Sequence, residues 1–124
     1  MTVGNSTTHA HAIINVLRNT AYAGIATVYM QLHTADPGAA GTTAASTASR
    51  QLLTIGAPSG GSSTATSPNF SITATETISH FSLWTASSAG TFIGSGAFSA
   101  SRSVVNGDQI TLSSFTVSIT PIAA

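Results

Sequence analysis

The chain has 124 residues and only six charged side chains, three Arg against two Asp and one Glu, so its net charge is zero. Charged residues make up 5% of the sequence, against about 25% in an ordinary soluble domain, which excludes the clustered cations that nucleic-acid binding needs. With no cysteine there are no disulfides or thiolate metal sites, and no run reaches the ~18 apolar residues of a membrane span.

Met1–Asn5 lacks the basic and apolar regions of a signal peptide, so folding in the cytoplasm of the producing cell is expected. Residues 1–8 read as an N-terminal arm and 8–20 as the one helix. Thr7 or Thr8 serves as N-cap, Ala10, Ile13, Ile14, Leu17 and Ala21 recur at helical spacing, and Asn19 or Gly24 ends it. So short a helix is marginal alone, and its apolar stripe has to dock on the rest of the domain or on a neighbour.

From Ile25 the period changes to two. Val28, Met30 and Leu32 alternate with Tyr29, Gln31 and His33, which predicts a strand with one buried face. Asp36-Pro37-Gly38 stops it, and residues 38–49, all Gly, Ala, Thr or Ser, read as an exposed loop. Strands are predicted at Arg50–Ile55, Ser62–Thr66, Asn69–Thr73, Thr77–Thr85 and Thr91–Phe98, with Phe81 and Leu83 towards the core. Asn106-Gly107-Asp108 has the chemistry of a tight hairpin turn, joining Ser103–Val105 to Gln109–Leu112, and Phe115–Thr120 closes the chain. Many short strands between Gly, Pro and Ser turns predict a mostly β fold: an antiparallel β-sandwich, jelly-roll-like, or a small barrel. Residues 1–124 read as a single domain, with the sandwich over 25–120.

The groups able to do chemistry are few. His9 and His11 stand two apart, so on a helix they point to different sides, and no metal is expected there. His33 and Asp36 flank one turn, but no nucleophile motif such as Gly-x-Ser-x-Gly accompanies them. His33 reads as a strand-end residue bonded to a backbone carbonyl or a neighbouring chain. Glu76 is the only Glu, and Asp36 and Asp108 sit at turns, so a glycosidase carboxylate pair is lacking. Neither enzymatic activity nor a cofactor is expected. Trp84, Tyr22 and Tyr29 suit a sugar-stacking platform, yet core or subunit-interface packing explains such aromatics more simply. Arg50 and Arg102 read as interface anchors, because Arg is enriched there. The candidate interface set is therefore Tyr22, Tyr29, His33, Arg50, Trp84 and Arg102.

A run of motifs carries a resemblance. Ala26–Gln31 leads into Leu32-His33-Thr34-Ala35-Asp36-Pro37-Gly38, followed by Arg50-Gln51-Leu52-Leu53. Then come Thr77-Ile78-Ser79-His80-Phe81-Ser82-Leu83-Trp84, Gly90-Thr91-Phe92-Ile93-Gly94-Ser95-Gly96 and Val104-Val105-Asn106-Gly107-Asp108. In this order they resemble a family of tailed-bacteriophage virion proteins, with Thr85 departing from an Asp expected after the Trp. The resemblance implies a virion structural role, as capsid decoration or as a tail-fibre or minor tail protein. The absence of coiled-coil segments and repeats favours the capsid: a cement protein on the capsid surface, binding the major capsid protein. Resemblance to other capsid-cementing proteins implies a homotrimer, and the arm and helix are the candidate lattice contacts. The alternative is a tail or baseplate protein binding a host surface glycan. Neither nucleic acid nor membrane is an expected partner.

Overall fold

The computed structural model describes residues 3–118. Ten strands and one helix follow in the order β1 (Gly4–Asn5), α1 (Thr7–Val16), β2 (Tyr29–His33), β3 (Gln51–Leu52), β4 (Thr54–Ile55), β5 (Ser62–Thr66), β6 (Asn69–Ser71), β7 (Glu76–Trp84), β8 (Phe92–Val104), β9 (Gln109–Thr111) and β10 (Phe115–Ser118). All pairings are antiparallel. One sheet has the order β1-β8-β7-β2-β3, a second β10-β5-β4, and β6 and β9 form a two-stranded ribbon. The architecture is a mostly β sandwich with one short helix.

The alternation seen in the sequence sets the register. Met30 lies opposite Leu83 and Leu32 opposite Phe81, so these four share one face, as strand geometry requires. That face packs on Phe70 and Ile72, which continue the ribbon, and on Leu53, Ile78 and Val104. Phe81 sits at the centre, with Phe98 at 5.1 Å and Phe115 edge-on at 5.0 Å. Gly96 lies opposite Phe81, and a Cβ there would stand 2.5 Å from the Phe81 ring.

Several expectations need correction. The 50–55 segment is two strands: β3 pairs with β2, whereas β4 pairs with β5. Leu53 between them is buried and donates its N–H to the Val28 carbonyl at 2.8 Å, so the chain changes sheet there. Asn106-Gly107-Asp108 does form a turn, with Gly107 at φ 98° and the Asp108 N–H donating to the Val105 carbonyl. It does not close a hairpin: β8 pairs with β7 and β9 with β6, so the turn carries the chain from the large sheet to the ribbon. The 38–49 loop is not simply exposed, since Gly41, Ser46 and Ala48 are buried. The strand expected to reach Thr120 is described to Ser118, and residues 119–120 lie outside the described range, as do residues 1–2 of the arm.

The helix is capped by Ser6, whose hydroxyl accepts the His9 N–H at 3.2 Å, one residue before the expected caps. The helix ends at Val16 with Leu17 as its C-cap, short of the expected residue 20, and the turn that follows reaches Asn19 at φ 61°, a left-handed conformation that Asn tolerates. β1 ties the helix to the sheet by pairing with Gly94 and Ser95 of β8.

Candidate functional site: a sealed polar face

The second face of β2 and β7 carries the chain's chemistry. Register places Tyr29 opposite Trp84, Gln31 opposite Ser82 and His33 opposite His80. A one-face strand would leave these side chains to solvent, yet His33 and Ser82 are both 0% exposed. The 34–49 loop covers them. It turns at Asp36-Pro37-Gly38, where the Asp36 carboxylate accepts the Gly38 N–H at 2.9 Å. It then returns beside β2, with Thr34 N–H donating to the Ala44 carbonyl and Ser46 N–H to the Leu32 carbonyl. Its small side chains let the backbone come close, and backbone carbonyls satisfy the buried polar groups. The Gln31 amide donates to the carbonyls of Ser46 and Ala48 at 3.2 and 2.9 Å.

The hydrogen-bond roles around His33 follow from its partners. Nδ1 lies 2.8 Å from the Thr43 carbonyl, which only accepts, so Nδ1 carries the proton of the neutral ring. Nε2 is then the acceptor, and the Ser82 hydroxyl donates to it at 2.7 Å. Ser82 Oγ in turn accepts the Trp84 indole N–H at 2.7 Å. The chain Trp84 to Ser82 to His33 to the Thr43 carbonyl is complete with an uncharged imidazole. Burial pushes the His33 pKa below the ordinary imidazole value, opposed by the Thr43 hydrogen bond and reinforced by His80 and Arg50.

Arg50 closes this face. Its guanidinium carbon lies 4.0 Å from the centre of the Trp84 ring, and Nη1 donates to the carbonyls of Ala86 and Ala89 at 3.1 and 2.8 Å. Phe92 packs on the same indole at 5.3 Å. Trp84, 7% exposed, therefore has no open face on which a sugar could stack.

A serine hydroxyl on an imidazole has the atoms of a nucleophile and its base. Here both groups are enclosed, and the indole occupies the hydroxyl oxygen, so substrate has no approach. The acidic side chains are also engaged. Besides Asp36, Glu76 accepts a bond from the Ser46 hydroxyl, and Asp108 accepts the Val105 N–H at 3.0 Å. Among the described residues no group of three His, Cys, Asp or Glu is placed to hold a metal.

Of the six residues singled out as interface candidates, the fold gathers Tyr29, His33, Arg50 and Trp84 on this one face. Tyr22 and Arg102 lie elsewhere. The Tyr22 hydroxyl bonds His9 Nδ1 at 2.8 Å, with the rings edge-on at 5.9 Å. It fastens the segment after α1 to the underside of the helix, beside an open cleft of about 330 Å³. Arg102 is exposed at the rim of a second cleft of about 200 Å³, walled by Met30, Phe70, Phe98 and Leu112. His11 lies in the open on α1, apart from His9. Sequence reasoning missed Ser82, Gln31 and Thr43. The available signal was Ser82 itself, a small polar residue inside the apolar run Phe81–Trp84.

No helix is long and apolar enough to cross a membrane. In comparisons with known proteins, the family model described as "Podophage GP4 fiber I protein gp80" matches residues 4–120. No curated protein matches the chain.

Proposed function

The chain belongs to the podophage GP4 fiber I protein gp80 family, and from that membership we propose that it is a structural, non-enzymatic component of a podophage fibre. The carrying observation is the extent of the match, residues 4–120, from β1 to beyond β10. The sealed face supports the reading, because its enclosed serine–histidine pair, Ser82 and His33, is used to fasten a loop. The family description favours the fibre over the capsid-cement role expected from the sequence, for which the missing coiled coil and repeats were the argument. A glycan-binding tip is the less supported form of the fibre reading, since Trp84 is covered and the Tyr22 hydroxyl is bonded within the chain. We therefore assign the chain to the body or attachment of the fibre.

Antibody labelling of purified virions, with copy number from quantitative mass spectrometry, tests the assignment. Label on fibres and a few to a few dozen copies per particle are expected. Label spread over the head at hundreds of copies would overturn it and restore the capsid-cement role, with the major capsid protein as partner.

A further inference from the structure

A large bulge interrupts the pairing of β8 with β7. Arg102 lies opposite Ile78 and Ala97 opposite His80, so Phe98–Ser101 stand against Ser79 alone. Bulges of this kind bend a strand and re-aim its side chains. Here Phe98, Ser99 and Ala100 border the cleft of about 200 Å³, together with Ile110 and Leu112 of the β9 segment. Met30, Phe70 and Ile78, which are 0%, 1% and 2% exposed, line its depth. The cleft therefore opens onto the core, between the large sheet and the β6–β9 ribbon, which pairs with neither sheet.

Two polar side chains border it, Ser99 and Arg102, both exposed. Pairing with Ile78 roots Arg102 on the face of the sheet that carries the core, while its charged head stays at the water boundary. The other two Arg are engaged within the fold. Arg18 bonds Asn15, and Arg50 bonds the Ala86 and Ala89 carbonyls. Among the described residues the Arg102 guanidinium has no such partner. No carboxylate borders the cleft, and Glu76, the one acid on β7, accepts from the Ser46 hydroxyl.

We propose that this cleft is a binding site for a small apolar monocarboxylate, with its hydrocarbon part on Met30, Phe70 and Phe98 and its carboxylate on Arg102 and Ser99. Each half of that ligand has its own warrant. An apolar cavity of about 150 Å³ stays dry and takes a benzene-sized guest, so this cleft has room for a ring or a short alkyl chain. Removing that chain from water drives it in. The guanidinium fork matches a carboxylate in two parallel, charge-assisted hydrogen bonds, and one unpaired cation suits one negative charge. A few polar groups at the edge of an apolar hollow are the usual make-up of a small-molecule site. A bound ligand bridges the β8 bulge to the ribbon and stabilises the sandwich by mass action. The site belongs to the fold, wherever in the virion the chain sits.

Octanoate tests this, set against 1-octanol, which lacks the charge, and acetate, which lacks the chain. Titrated into the full chain and followed by calorimetry, octanoate should bind with a dissociation constant of about 0.01–1 mM. The other two should bind at least tenfold more weakly. At ten times its dissociation constant octanoate should raise the melting temperature by about 3 °C or more. Arg102→Gln should weaken octanoate at least tenfold, and Arg102→Lys, which keeps the charge, should fall between it and the parent. Neither should lower the melting temperature without ligand, because Arg102 is exposed. Ala100→Trp, from an exposed position on the bulge, should fill the cleft and abolish octanoate binding. No octanoate binding at millimolar concentration overturns the proposal. So does octanoate binding that either Arg102→Gln or Ala100→Trp leaves unchanged, and so does 1-octanol that binds as tightly as octanoate.

Discussion

Ser82→Ala tests whether the sealed face is a fully satisfied network. The substitution removes one hydroxyl and orphans two buried groups, the Trp84 indole N–H and His33 Nε2. His33 has no escape through the other tautomer, because its Nδ1 proton is committed to the Thr43 carbonyl. Each of the two orphaned groups costs roughly 1–3 kcal/mol, so the variant should lose about 2–6 kcal/mol. That is a large share of the ~5–15 kcal/mol that holds a domain together. For a chain of this length the melting temperature should fall by about 10 °C or more. Urea unfolding followed by fluorescence reads the change directly, since Trp84 is the only tryptophan and sits inside the network. Trp84→Phe, followed by circular dichroism, removes the indole N–H together with part of the ring that packs on Arg50 and Phe92. On that background Ser82→Ala should cost at least about 1 kcal/mol less, the coupling expected of direct partners. A Ser82→Ala variant within ~0.5 kcal/mol of the parent would refute the network, as would strict additivity with Trp84→Phe.

Two further outcomes follow from the same geometry. Because burial lowers the His33 pKa below its ordinary 6.5, the unfolded chain binds that proton first as pH falls. The stabilisation is complete above about pH 6.5 and is lost below it, at up to ~1.4 kcal/mol per pH unit. Urea midpoints taken from pH 7.5 to 5 should show this slope, and His33→Gln should flatten it; equal slopes in the two proteins would contradict the assignment. Gly94→Ala places a Cβ 2.7 Å from the Gly4 carbonyl oxygen and should release β1 from the sheet. Trypsin should then cut after Arg18 at least tenfold faster while the main unfolding transition moves by less than ~1 kcal/mol, and an unchanged cleavage rate would show that β1 does not anchor the helix.

Period-two alternation was enough to put Met30 and Leu32 on one face of their strand and Phe81 and Leu83 towards the core, and to predict a β-sandwich; that the two strands pair was shown only by the structure. The burial of His33 and Ser82 was not legible. Their cover is a loop of Gly, Ala, Ser and Thr, and its contribution comes from backbone carbonyls that every residue type possesses. The sheet change at Leu53 was hidden for a related reason, since both halves of 50–55 have strand character and only their partners differ. Asn106-Gly107-Asp108 fixed a turn but not which strands flank it as neighbours. The motif order pointed to a phage virion protein. Its place on the particle depended on a negative sign, the missing coiled coil, which weighs less than a family match from residue 4 to 120.

The pairing of Gly4 with Ser95 also governs when the helix becomes available during synthesis. β1 emerges from the ribosome before the other described strands, but its partner strand is made some ninety residues later, and the β2–β7 pairing likewise joins distant segments. Long-range antiparallel contacts of this kind form slowly, because loop closure precedes any gain. The N-terminal segment can dock only after β8 is complete. Until then α1 lacks the strand pairing that anchors it, so its position on the sheet is fixed only late in synthesis. Among the described elements the first to be made is thus among the last to be secured.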